Sequence, residues 1–137
     1  MTNKQEIGTL ILRVVLGITF FAHGLAKFET MQMISGWFQS IGIPSFMAYV
    51  VAGIETVGGI ALILGIGTRI VSALLVVILL VATLKVKLAV GFFGNGQMAG
   101  YELDLSMMVT ALYLALNGSY LLSLDSIVKR NANGAQA

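Results

Sequence analysis

Cysteine is absent from the 137-residue chain, and its absence excludes several kinds of chemistry. Without thiols the chain itself forms no disulfide, offers no thiolate nucleophile, and holds no iron–sulfur cluster or dithiol redox pair. The absence leaves the cellular compartment undetermined.

Charged residues are few, at 10% of the chain, against 58% hydrophobic residues and a mean hydropathy of +0.94. A soluble domain carries roughly 25% charged residues, so this chain has too few to cover a globule in water. Its eight basic residues are dispersed, and no continuous basic stripe with interleaved aromatics supports binding to nucleic acid. The sequence therefore predicts a protein whose solvent is the lipid bilayer, with no nucleic-acid partner.

What the chain has instead is four long apolar stretches. A membrane-spanning helix takes about 20 mostly apolar residues, and residues 7–27, 45–66, 68–90 and 102–124 meet that length. We therefore predict an all-α fold, a four-transmembrane-helix bundle that forms a single domain over residues 1–137, with a flexible tail at 126–137.

The connection between the first two stretches has a pattern of its own. Ile34, Trp37, Phe38 and Ile41 fall at the spacing of one helical face. With a tryptophan on that face, the segment is typical of a short amphipathic helix at the membrane interface. A plain loop is the alternative.

Four crossings place both termini on the same side of the membrane, and basic residues near the ends of the spans indicate which side. The two groups are Lys4, Arg69, Lys129 and Arg130 on the side of the termini, and Lys27, Lys85 and Lys87 on the other. Because basic residues near span ends are enriched in the cytoplasm, we predict that both termini are cytoplasmic.

Two ionisable residues, Arg13 and Glu55, lie deep in the first and second predicted spans. An unpaired charge near the centre of a span costs about 2.5–3.5 kcal/mol on insertion scales. We therefore predict that Arg13 and Glu55 pair inside the bundle. The pair is either a brace between two helices or the charged floor of a ligand cavity.

The remaining charges gather at the end opposite the termini. His23 and Lys27 are four residues apart and share one face of the first helix. Lys85 and Lys87 end the third span, and only one of them is expected to point inward. Tyr101, Glu102 and Asp104 begin the fourth. Lysines near helix ends also reach toward headgroups, and acidic residues favour helix N-termini, but these effects do not explain an imidazole one turn inside the membrane.

Three motifs in this order resemble the DoxX family of small four-helix bacterial membrane proteins. They are LRVVLGITFFAHGLAKF at 12–28, IETVGGIALILGIGTR at 54–69, and YELDLSMMVTALYLALNG at 101–118 followed by SLD at 123–125. The resemblance implies a multi-pass protein of the bacterial inner membrane. Members are labelled oxidoreductases because relatives occur with quinone-linked oxidoreductases. The positions that carry over are Arg13, His23, Gly24, Lys27, Glu55, Glu102 and Asp104.

The resemblance and the charges together suggest an oxidoreductase subunit acting on or with a quinone or a similar redox-active small molecule. We expect no metal site. The candidate catalytic residues are His23, Lys27, Glu55 and Glu102, and the candidate substrate-binding residues are Arg13, Lys85, Lys87, Tyr101, Asp104 and Trp37. The chain offers no electron carrier of its own, so catalysis requires a redox partner protein or a bound cofactor.

Two other functions fit the same residues. One is a non-enzymatic membrane carrier, ligand-binding or assembly protein, in which the charges bind a small apolar or quinone-like ligand without a reaction. The other is a purely structural bundle stabilised by ion pairs. A homo-oligomer is compatible with all three functions.

Overall fold

The computed structural model describes residues 2–135, which fold almost entirely as helices. Seven α-helices follow one another as α1 (Asn3–Glu29), α2 (Met31–Ser40), α3 (Met47–Leu64), α4 (Thr68–Ala82), α5 (Leu88–Val90), α6 (Tyr101–Asn117) and α7 (Leu124–Ala135). A π-helical turn, Thr83–Lys87, joins α4 to α5 without a break. Over the described residues the single β-type feature is an isolated bridge between Gly94 and Ala99. The predicted all-α fold is confirmed.

Three helical runs are long and apolar enough to cross a membrane. They are α1 with 27 residues, α3 with 18, and the continuous run Thr68–Val90 with 23. Each coincides with one of the first three predicted spans to within a few residues. A helix pairs its backbone N–H and C=O groups within itself, as a segment surrounded by hydrocarbon must.

The predicted C-terminal end of the fourth span, 102–124, is wrong. Helix α6 stops at Asn117 because Gly118 adopts a φ of 70°, which carries the chain out of the helix. With 17 residues, α6 is about 25 Å long. The apolar residues that follow, including Leu121 and Leu122, lie in the connection to α7.

Helices α1, α3, α4 and α6 pack side by side around one apolar core. The buried residues of that core are Leu16, Phe20, Leu62, Leu75, Leu79, Met107, Ala111 and Leu114. Helices α1 and α3 are antiparallel and approach most closely at glycines: Gly17 lies against Gly59, and Gly24 lies against Thr56 and Ala52. Small residues of this kind let transmembrane helices come into backbone contact.

Helix α2 confirms that the segment between the first two spans is helical, so the alternative of a plain loop is wrong. Met31, Ile34 and Phe38 pack against Ala48 and Ala52 of α3. Trp37 turns further outward and is 37% exposed. A location of α2 at the membrane surface stays a prediction.

The predicted flexible tail from residue 126 is helical through Ala135, and residues 136–137 lie outside the described part of the chain. Helix α7 is fixed at its start by Asp125. The backbone N–H of Asp125 donates to Gly65 O at 3.0 Å. The Asp125 carboxylate accepts from the backbone N–H groups of Gly67 (2.9 Å) and Thr68 (3.2 Å). Asp125 thus satisfies two donors at the N-terminus of α4, the place where a carboxylate stabilises a helix.

Candidate functional site

An ion pair joins α1 to α3 near the end of the bundle opposite the chain termini. Lys27 Nζ lies 2.7 Å from Glu55 Oε2, and among residues 2–135 this is the one pair of opposite charges closer than 4.0 Å. Glu55 is buried at 4% exposure, whereas the Lys27 side chain keeps a quarter of its surface accessible. Burial makes this charge-assisted hydrogen bond stronger than a surface pair.

The predicted pair between Arg13 and Glu55 is therefore wrong. The glycine contacts set α1 and α3 in a register in which Arg13 lies beside Gly65, ten residues from Glu55 along α3. At 1.5 Å per residue the separation is about 15 Å, beyond the reach of an arginine side chain.

Arg13 instead binds the connection between α6 and α7. Its guanidinium is fully buried and donates to the carbonyl oxygens of Ser119 (3.1 Å) and Leu122 (3.0 Å), and also to Ser119 Oγ (3.4 Å). The two carbonyls occupy separate NH₂ groups of the guanidinium, a geometry that its planar fork supplies and an ammonium does not. These are the contacts of an architectural residue, and a role for Arg13 in binding substrate stays untested.

His23 is half-buried one turn before Lys27 on α1. Its Nδ1 lies 2.8 Å from the backbone carbonyl of Thr19. A carbonyl oxygen only accepts, so Nδ1 carries the hydrogen in this contact. Nε2 is then the ring nitrogen that remains for a second partner, as a donor when the ring is protonated and as an acceptor when it is neutral.

Asp104, not Glu102, is the inward-facing acid of α6. Asp104 is buried at 8% exposure, whereas Glu102 is exposed on the first turn. Residues two apart on a helix point to different sides, so the two acids cannot both face the bundle. Glu102, a candidate catalytic residue from the sequence, therefore lies on the exposed side of α6, away from Asp104. Lys87, His23 and Lys27 lie within electrostatic range of the Asp104 carboxylate.

The π-helical turn decides between the two lysines that the sequence left open. Lys87 is half-buried, donates to Ala99 O at 3.0 Å and acts on Asp104, whereas Lys85 is exposed. Tyr101 is half-buried at the start of α6, with its ring edge against Phe92 at a centroid distance of 5.3 Å. A π-helical turn inserts one extra residue into a helix, and such turns are frequent at functional sites.

His23, Lys27, Glu55, Lys87 and Asp104 together form what we call the charged cluster. Its members come from α1, α3, the π-helical turn and α6, so four segments of the chain meet at one level. Trp37 lies outside it, on α2, with its ring 5.9 Å from that of Phe38. Within the described residues, no group of three or more histidine, cysteine, aspartate or glutamate side chains has the arrangement of a metal site.

Comparisons with known proteins show the family of the chain. A model of the DoxX family matches residues 8–88. The chain belongs to the DoxX family. A relative from Bacillus subtilis (strain 168), named "Putative oxidoreductase CatD", is 47% identical over 136 residues, covering 97% of this chain and 98% of the relative. No solved structure matches the chain.

Two further relatives are named as membrane proteins. An "Uncharacterized membrane protein Rv3486" of Mycobacterium tuberculosis is 28% identical, covering 93% of this chain and 85% of the relative. The "Inner membrane protein YqjF" of Escherichia coli is 29% identical over 69 residues, about half of each chain. With its three long apolar helices, this DoxX chain is a membrane protein.

Among the cavities on the described part of the DoxX bundle are two that the charged cluster does not line. An apolar groove of about 420 Å³ runs between α3 and α4, past Gly53 and Val57. A cleft of about 750 Å³ lies at the other end of the bundle, between α7 and the ends of α1 and α3.

Sequence reasoning also missed residues that shape this DoxX protein. Ser119, Leu122 and Asp125 hold the end of the bundle at which Arg13 lies. For Asp125 the available signal was the SLD triplet at 123–125, because a serine or aspartate near a helix start is typical of capping.

The ion pair of the charged cluster gives a first testable expectation. Glu55→Gln should lower the melting temperature of the detergent-solubilised protein by several degrees, because Lys27 would keep its charge without a counter-ion. The effect should stay below the 3–5 kcal/mol typical of fully buried pairs, since Lys27 is a quarter exposed and can turn to water. Lys27→Met in the same background should restore part of the loss. Glu29 is an exposed acid at the end of α1, the helix that carries Lys27, so Glu29→Gln is the matched control. An equal shift in Glu55→Gln and Glu29→Gln would argue against the pair.

Proposed function

We propose that this DoxX protein is a small membrane subunit of an oxidoreductase system and binds a quinone, or a similar redox-active small molecule, at the charged cluster. The observation that carries the proposal is the ion pair of Lys27 with the buried Glu55, with a second buried carboxylate, Asp104, within electrostatic range of His23, Lys27 and Lys87. Ionisable groups within membrane helices are expensive, and they usually mark pathways for ligands or protons. The relationship to a protein named as an oxidoreductase supports the same class of function.

The charged cluster matches the chemistry of a quinone. Each quinone carbonyl accepts hydrogen bonds. The ammonium groups of Lys27 and Lys87 are donors at this end of the bundle, and His23 Nε2 is a donor when its ring is protonated. Reduction to a quinol takes up two electrons and two protons. Asp104 and Glu55 are the carboxylates that would exchange those protons. A partner protein or a bound cofactor would supply the electrons.

Aromatic rings at the same end would border an apolar ligand. Phe92 lies between Phe93, at a centroid distance of 4.9 Å, and Tyr101, at 5.3 Å. Phe93 is 83% exposed and projects from the loop that Lys87 holds through Ala99. Such rings favour the boundary between hydrocarbon and headgroups, where a quinone head would enter.

In the membrane we propose four crossings, with α6 as the fourth and α2 at the interface. The support is that α6 lies alongside α4 in the bundle and that its C-terminal end meets Arg13 of α1. Four crossings put both termini on one side. The basic residues at that end favour the cytoplasm, and the bacterial inner membrane is the location that relatives suggest.

Binding of menadione and ubiquinone-1 to the purified protein in lipid nanodiscs tests the proposal. Trp37 is the chain's one tryptophan, so quenching of its fluorescence by a bound quinone reports on this protein alone. We expect saturable quenching in the wild type and an affinity reduced about tenfold or more in His23→Ala, the size expected when a hydrogen bond involving a charged group is lost. Lys27→Ala should weaken binding less, because Lys87 remains.

The matched control is Thr19→Val, which removes a hydroxyl one turn away and keeps the backbone carbonyl that holds His23. Thr19→Val should bind as the wild type does. Equal affinities for wild type and His23→Ala, or quenching that never saturates, would refute the proposed site.

One observation favours a non-enzymatic carrier or binding protein as the second candidate. The groove between α3 and α4 is apolar and large enough, at about 420 Å³, to take a hydrocarbon chain. This second function would be favoured if the protein binds a quinone but does not reduce or oxidise it in membranes that contain the protein's redox partners.

A further inference from the structure

The cleft at the terminal end of the bundle combines an apolar wall with a charged rim. Ile63 and Leu64 at the end of α3 face Ile127 of α7 across it, while Glu6 of α1 and Arg130 of α7 lie at its edge. Its volume of about 750 Å³ falls within the 300–1,000 Å³ typical of ligand sites. A cavity with these two surfaces suits an amphiphile rather than a fully polar or fully apolar molecule.

The walls of the cleft are fixed by buried polar contacts. Arg13 holds the carbonyl of Leu122, and Leu122 has a φ of 48°, unusual for a residue with a side chain. Asp125 ties the first turn of α7 to Gly65 and Gly67. The cleft is therefore formed before any ligand arrives, which reduces the entropy lost on binding.

The position of the cleft indicates where its ligand comes from. It opens beside the first turns of α1 and the last turn of α3, where these membrane-crossing helices leave the apolar layer. Leu122, 79% exposed, and Val128, 67% exposed, present apolar surface around it. An amphipathic helix with exposed aliphatic residues and basic neighbours is typical of the lipid interface.

The charge of the rim favours an anion. Arg130 lines the cleft, and Lys129 lies 5.2 Å from the centre of the Tyr120 ring, which lines it too. These two cations outnumber Glu6, the acid on the opposite edge. A guanidinium recognises a phosphate through paired hydrogen bonds, and basic residues near an anionic leaflet are attracted to it.

We propose that this cleft is a binding site for an anionic phospholipid of the surrounding leaflet. The phosphate lies at Arg130 with Lys129 nearby, the headgroup hydroxyls face Glu6, and one acyl chain runs over Ile63 and Leu64. The site is separate from the charged cluster, which lies at the other end of the bundle, so it stands whether or not a quinone binds there.

Native mass spectrometry of the full-length protein, released from detergent in the presence of defined lipids, tests the site. We expect phosphatidylglycerol to bind at least fivefold more tightly than phosphatidylcholine of the same chains. Arg130→Gln should reduce that preference to less than twofold, and Ile127→Ser should weaken both lipids together. No preference in the wild type, or an undiminished one in Arg130→Gln, overturns the proposal.

Two controls separate this site from general attraction. Lys4→Gln removes one exposed positive charge at the same end of the molecule but away from the cleft, and it should leave the preference unchanged. Glycerol 3-phosphate at millimolar concentration should not displace the lipid; displacement would show recognition of the phosphate alone and overturn the assignment to a phospholipid. The residues substituted in α7 face solvent. Melting curves that match the wild type establish that each variant is folded.

Discussion

Arg13→Gln should be among the most destabilising single substitutions in this protein, lowering its free energy of unfolding by about 2–6 kcal/mol. The estimate counts two backbone carbonyls, of Ser119 and Leu122, that lose a charged donor inside the protein, at about 1–3 kcal/mol for each acceptor left unpaired. Thermal denaturation in detergent, followed by circular dichroism, measures the change. The loss should appear as an earlier melt without loss of helix content at low temperature.

A second arginine at this end of the bundle, Arg69, is the matched control. Arg69 is exposed, and its Nε donates one hydrogen bond to Ala115 O at 3.0 Å. Arg69→Gln should change stability by about 0.5 kcal/mol or less, as is usual for surface positions. The stability of Arg13→Lys should remain well below that of the wild type, because one ammonium cannot reproduce the planar fork of the guanidinium. Equal effects at both arginines would contradict the architectural role of Arg13.

Gly59→Ala should push α1 and α3 apart and destabilise the bundle by about 1–3 kcal/mol, the range for overfilled interiors. A β-carbon at this position would come within 2.5 Å of Phe21 N and 2.6 Å of Gly17 O, both of them backbone atoms. Backbone cannot move aside as a flexible side chain can, so the helices themselves must separate. The same melting experiment measures the loss.

Gly53 offers the comparison on the same helix. A β-carbon there would meet nothing within 4 Å, and alanine is the better helix former by about 1 kcal/mol in water. Gly53→Ala should therefore melt at or above the wild-type temperature. If the two variants lose stability equally, the backbone contact at Gly59 does not explain the effect there, because Gly53 has no such contact.

The lengths of apolar stretches were enough to predict α1, α3 and the run from α4 to α5. Length says little about where a helix ends when hydrophobic residues continue past the end. The fourth stretch remains apolar through Leu121 and Leu122, yet the backbone leaves the helix at Gly118. Helix α7 was missed because its polar residues resemble a solvated tail, although Leu124, Ile127 and Val128 have helical spacing.

The partners within the site were harder to predict than its location. Convergence of charges at the end opposite the termini follows from alternating helix directions, and His23, Lys27 and Glu55 do lie at that end. The partner of Glu55 depends on the register of α1 against α3, which the glycine contacts set and which hydrophobicity does not encode. Which of Glu102 and Asp104 points inward depends on the rotation of α6, and that is fixed by tertiary contacts alone.

The contact between Arg13 and Ser119 joins positions 106 residues apart and so carries a consequence for the order of biosynthesis. At ribosomal rates of about 5–20 residues per second, α1 is made roughly 5–20 s before its acceptors exist. Throughout that interval the first helix carries an unsatisfied guanidinium, and it acquires its partners when the segment after α6 emerges. The segment after α6 therefore completes the environment of α1, and a ribosome that stops short of residue 119 leaves Arg13 without the acceptors that it has in the folded protein.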